Sequence, residues 1–69
     1  MTRAAFLASL RSGLSGLPAA DIDDILADYA SHFDEGLAAG RSEDDVAAAL
    51  GDARQLAREL RAEAGLRRW

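Results

Sequence analysis

The 69-residue chain has no cysteine and no lysine, and it has a single proline, Pro18. Without cysteine there is no disulfide staple, no zinc-thiolate site and no thiol nucleophile, so the fold must be held by packing alone. Long apolar runs are missing as well. The longest, such as Val46 to Leu50, fall far short of the roughly 20 residues that span a bilayer, and the N-terminus has no signal-peptide core. The sequence therefore reads as a soluble chain suited to a reducing compartment. Strand-type alternation, internal repeats and low-complexity tracts are also absent. At this length there is room for one domain with a modest core, worth a few kcal/mol at most, and for no separate catalytic domain.

What is present is alanine, arginine and acid, unevenly distributed. Residues 18–52 carry ten acids against Arg41, a net of −9, whereas residues 1–17 contribute +2 and residues 53–69 contribute +3. An acidic middle with a basic tail argues against a general polyanion binder and leaves the tail as the candidate anionic contact.

Apolar periodicity predicts an all-α fold, a compact bundle of four helices at about 2–12, 18–39, 42–50 and 52–64. Thr2 can cap the first helix, where Phe6, Leu7, Leu10 and Leu14 share a face. The stretch from Ser12 to Leu17 loosens the chain, and Pro18 suits the first turn of the next helix, where no N–H donor is needed. Along that helix Ile22, Ile25, Leu26, Tyr29, Phe33 and Leu37 fill an arc of about 120°, the width of a core-facing stripe. Gly36 shares the arc. It costs roughly 1 kcal/mol against alanine in a helix, so its use is to let another helix backbone approach closely. Gly40 ends the helix in a left-handed cap. Ser42 starts a short third helix with Glu43, Asp44 and Asp45 favoured by its dipole, and Val46, Ala47, Ala49 and Leu50 supply its apolar contacts. Gly51 stops it. Asp52 restarts the chain, with Gln55 as capping-box partner, and Ala53, Leu56, Ala57, Leu60 and Ala64 form a narrow apolar face.

Few constellations carry chemistry. Asp28, His32 and Glu35 at i, i+4 and i+7 resemble part of a metal or acid/base site, but no second helix supplies ligands, so His32 reads as a residue flanking the core beside Phe33. The hydroxyls have no base or oxyanion partner and no glycine loop matches a phosphate cradle, which argues against an enzyme and against a cofactor. The third and fourth helices read superficially as a helix-turn-helix, with Arg54, Arg58 and Arg61 on one stripe and Arg68 near its extension. Net charge −4 and the lack of base-reading side chains weigh against DNA, so no nucleic-acid binding is expected. On the second helix Asp21, Asp24, Asp28 and Glu35 form an acidic ridge, which serves solubility or a basic partner surface. These two charged faces, with His32, are the candidate interaction surface.

The combined pattern resembles the HAAS domain, the helical signalling domain associated with helix-turn-helix regulators. The residues that carry it are Phe6-Leu7 and Leu10, then Leu14-Ser15-Gly16-Leu17-Pro18, then Asp28-Tyr29, His32-Phe33 and Gly36. Gly40-Arg41-Ser42-Glu43 and Leu50-Gly51-Asp52 with Ala57 complete it, so the resemblance covers nearly the whole chain. Ala53 stands where relatives usually have proline, and alanine also suits a helix start. The resemblance implies a cytoplasmic domain at the N-terminus of bacterial inner-membrane proteins, often encoded beside a PadR-like transcriptional regulator, and it implies no catalytic residues. It also draws attention to His32, most simply through a hydrogen bond fixing the second helix to a neighbour. Arg67-Arg68-Trp69 has the composition found just inside a membrane, so a transmembrane tether is expected beyond Trp69, with the arginine stripe resting on anionic lipid. The leading expectation is a signalling or protein-interaction module. The alternative is a small DNA-binding domain that uses the arginines of the fourth helix.

Overall fold

A computed structural model describes residues 1–67 of the chain, with side chains through residue 64. Four helices make up the described residues: α1 (Arg3–Gly13), α2 (Ala19–Ala38), α3 (Glu43–Leu50) and α4 (Ala53–Arg67). The predicted elements are all found, each start lying one residue later than expected, and α4 continues through Gly65 to Arg67.

Local chemistry sets the boundaries. Thr2 Oγ1 accepts from the Ala5 amide at 3.1 Å, capping α1. Pro18 sits just before α2 and not within its first turn: its extended backbone (ψ 144°) leaves Ala19 as the first helical residue. Its carbonyl accepts from the Asp21 and Ile22 amides. At the other end of α2 the Gly40 amide donates to Leu37 O and the Arg41 amide to Gly36 O, the two bonds of a Schellman motif. Gly40 supplies the required positive φ, 87°. Ser42 and Asp45 form a reciprocal capping box at the start of α3. Asp52 caps α4 differently from expectation. Its Oδ1 accepts from the Arg54 amide at 2.8 Å, two residues on, and Gln55 does not reach back to it among the described residues.

The core lies where α1 meets all three other helices. Phe6, Leu10, Leu14 and Phe33 are fully buried, joined by Val46, Ala47, Ala53 and Ala57. The Phe6 and Phe33 rings are tilted, with centroids 5.4 Å apart, an aromatic contact of favourable geometry. At two glycines a side chain of a neighbouring helix seats against bare backbone. A Cβ added to Gly36 would overlap Val46 Cγ2 of α3. A Cβ on Gly13 would fall 2.5 Å from Ala57 Cβ of α4. The first puts a neighbouring helix against Gly36 as expected, although what seats there is the Val46 side chain and not a backbone. The second places Gly13 inside α1 as a packing residue, although it belongs to the stretch expected to loosen the chain.

Polar contacts join α1 to α3. The Arg3 amide, one of the donors left over at a helix start, gives its hydrogen to Glu43 Oε1 at 2.6 Å. The Met1 amino group lies 2.6 Å from Asp44 Oδ1. The acidic first turn of α3 thus satisfies the start of α1 as well as its own dipole.

The long helix departs most from its predicted burial. Of its six stripe residues only Phe33 is buried; Ile22, Ile25, Leu26 and Tyr29 are half-buried and Leu37 is 43% exposed. The cause is the placement of α4, which packs along α1 and scarcely approaches α2.

Candidate functional site

Because α4 is drawn onto α1, the side of α2 that carries Ile25 and Tyr29 is left without a full cover, and a trough opens between α2 and α4. It consists of two adjoining hollows. One, of about 450 Å³, is lined by Asp21, Asp24, Ile25 and Asp28 of α2 and by Leu60, Glu63 and Ala64 of α4. The next, of about 320 Å³, shares Ile25, Asp28 and Leu60 and continues past Tyr29 to His32 and Glu35. The four carboxylates of the predicted acidic ridge thus line one wall, and His32 stands at the same edge. From Asp21 to Glu35 the wall extends about 21 Å at the helical rise per residue.

The floor is apolar and the walls are negative. Tyr29 lies along the trough, its ring 6.5 Å from Phe6 and 5.6 Å from His32. Burial and the carboxylates of Asp28, Glu63 and Glu59 together push its phenol above the ordinary 10.0. Carboxylates of both α2 and α4 therefore act on the same point. Ile25, Leu60 and Glu63 were missed by sequence reading as members of one surface. Ile25 and Leu60 were assigned to the core by their periodicity, and only the tilt of α4 toward α1 turns them into a half-open floor.

His32 is exposed and makes no hydrogen bond among the described residues. Its neighbour is Tyr29, three residues earlier on the same helix, and not a residue of another element. The expected bond to a neighbouring helix is not there. Asp28, His32 and Glu35 do share a hollow, yet no group of three such side chains among the described residues is placed to hold a metal ion.

The arginine stripe lies elsewhere on α4. Arg54, Arg58 and Arg61 line a separate groove of about 520 Å³ against Ala8, Ser9, Ser12 and Gly13 of α1. They form no ion pair with the described acids; the cross-helix pairs are Arg3 with Asp34 at 3.6 Å and Arg11 with Asp23 at 3.5 Å. A recognition helix must present its outer face to a groove of DNA. These arginines instead flank the seam where α4 meets α1. Arg68 and Trp69, the heart of the expected membrane-proximal motif, lie outside the described residues. No helix among the described residues is long and apolar enough to cross a membrane.

The family model for HAAS matches residues 5–59, most of the chain, which therefore belongs to the HAAS family. No curated protein matches it, and no solved structure does.

Proposed function

We propose that this HAAS domain is a non-enzymatic signalling and protein-interaction module. It serves as the cytoplasmic N-terminal domain of a bacterial inner-membrane protein that works with a PadR-like transcriptional regulator. The observation that supports the reading is the α2–α4 trough. An apolar floor left half-covered in so small a domain favours a partner, whereas catalysis needs a nucleophile or base held against an oxyanion or metal site, and the described residues of the trough form no such arrangement. Binding buries Ile25, Tyr29 and Leu60 and sets the acidic walls against a basic surface, so association is steered by charge and held by apolar contact.

The experiment is a titration of the purified domain against a PadR-like regulator from the same bacterium. Saturable binding that is lost in Leu60→Glu supports the reading, and no binding at micromolar concentrations overturns it. Placement at the membrane is tested separately by fractionation of the natural full-length protein. Recovery in the inner-membrane fraction is expected, and a freely soluble protein would remove the tether.

A DNA-binding reading has one observation in its favour, the three arginines of the α1–α4 groove without described ion pairs. It fails on charge. The acidic surplus of residues 18–52 repels a duplex that approaches this small body, and three guanidiniums supply only a small counterion-release term.

A further inference from the structure

We infer that the α2–α4 trough takes an amphipathic α-helix of a partner protein, one whose apolar stripe is flanked by lysine or arginine. The inference rests on the protein-binding reading above and names the chemistry of the occupant.

Three features of the trough select this occupant. Its floor of Ile25, Tyr29 and Leu60 is apolar and half-buried, so it asks for an apolar stripe and not for a polar loop. Its wall extends about 21 Å from Asp21 to Glu35, the length of about four helical turns. A helix laid in a hydrophobic groove anchors through residues at i, i+3, i+4 and i+7, a spacing that fits such a floor. The carboxylates settle the sign of the flanks. Asp21, Asp24 and Asp28 line the trough from α2, with Glu35 farther along the same wall. The raised phenol of Tyr29 reports the same field from both helices. Nucleic acid and anionic lipid are repelled by these walls. A second copy offers its own acidic trough, and its arginine stripe has serines and alanine beside it in place of an apolar ridge.

The probe is a synthetic peptide of about 18 residues with leucines on one helical face and lysines on both flanks, titrated into the 69-residue chain by calorimetry and by amide chemical-shift mapping. Micromolar binding is expected, with the largest shifts at Ile25, Asp28, Tyr29 and Leu60. The same leucine stripe flanked by glutamates should not bind. Leu60→Glu should weaken binding about tenfold or more, the effect of placing a charge on an apolar contact. Asp24→Asn with Asp28→Asn should weaken it comparably, and this pair remains a fair test because it relieves an i, i+4 repulsion and so cannot act by unfolding α2. Asp44→Asn on α3, outside the trough, should leave affinity unchanged.

Equal weakening by the Asp44 control would show that the peptide meets only net charge, and shifts clustered away from the trough would overturn the site. Self-association that Leu60→Glu abolishes would make a second copy the occupant and overturn the inference. If a PadR-like regulator binds the parent domain but neither trough variant weakens it, the functional reading stands and this occupant is wrong. If the peptide binds in the trough while the regulator does not bind at all, the occupant's chemistry stands and the regulator is not its source.

Discussion

Replacing Gly36 with alanine tests the tight seat of α3 against α2. Alanine in a helix interior is worth about 1 kcal/mol over glycine, so with open space at this position the variant would be more stable than the parent. The space is occupied: the new Cβ would overlap Val46 Cγ2, and Val46 is 4% exposed. Valine in a helix has one strongly preferred rotamer, so the clashing methyl cannot swing aside cheaply and α3 must shift off α2. Overpacking of this kind costs typically 1–3 kcal/mol, which exceeds the propensity gain and leaves a net loss of about 1 kcal/mol. In a domain of this size that is a fall in Tm of about 4–8 °C. Leucine at the same position should lose more. Urea unfolding of Gly36→Ala, Val46→Ala and the double variant gives the decisive quantity. The double variant should be more stable than the sum of the single losses allows, by about 1 kcal/mol, because the methyl added at position 36 fills part of the space vacated at position 46. A Gly36→Ala variant more stable than the parent, with additive singles, would refute the close approach.

Three other outcomes follow from the same geometry. Glu43→Ala removes the acceptor of the Arg3 amide and should cost about 1 kcal/mol by urea unfolding, with most of the loss recovered by Glu43→Gln, which keeps an acceptor oxygen. Tyr29 holds its phenolic proton more tightly when folded than when unfolded, so its contribution to stability is intact below the ordinary 10.0 and is lost as pH rises through the higher folded value. With no lysine or cysteine in the chain, no other side chain titrates in that window, and Tyr29→Phe should flatten the decline in alkaline unfolding curves. Duplex DNA titrated at low salt should show no saturable, salt-sensitive binding, and binding that Arg58→Glu removes would revive the DNA-binding reading.

The helices were legible because their signals are local. Thr2, Ser42 and Asp52 each cap a helix start, and Gly40 and Gly51 end helices with φ of 87° and 91°. Gly36 was legible for a different reason: a glycine on a core-facing stripe has an evident use only if something lies against it. Gly13 carries the same steric message but sits among serines and leucines in a stretch of turn-forming composition, so its contact with Ala57 was hidden. The capping of α1 by Glu43 depends on which helix ends meet in space, and no local pattern records that. The acidic ridge could be read from helical periodicity, but its meaning could not. Periodicity says that Ile25, Tyr29 and Leu60 turn inward, and it does not say whether a neighbour of the same chain covers them.

Two opposed effects account for their being half-covered. On one side of α4, Ala57 is small enough to settle against α1 at Gly13, and surfaces that approach this closely gain dispersion contacts along the seam. On the other side, closing α4 onto α2 would bring Glu59 and Glu63 toward Asp24 and Asp28. Like charges about 8 Å apart repel by about 0.5 kcal/mol per pair in water, and by more as the space between them dries. Each such term is small, but the whole domain rests on a few kcal/mol. Closure would also draw the carboxylates of Asp24 and Asp28 out of water, at a desolvation cost. The repulsion that opposes closure from within is the attraction that would draw a cationic helix from outside. A partner with basic flanks would meet the wall of Asp21, Asp24 and Asp28 with opposite charge, so the open trough and its preferred occupant have one electrostatic cause.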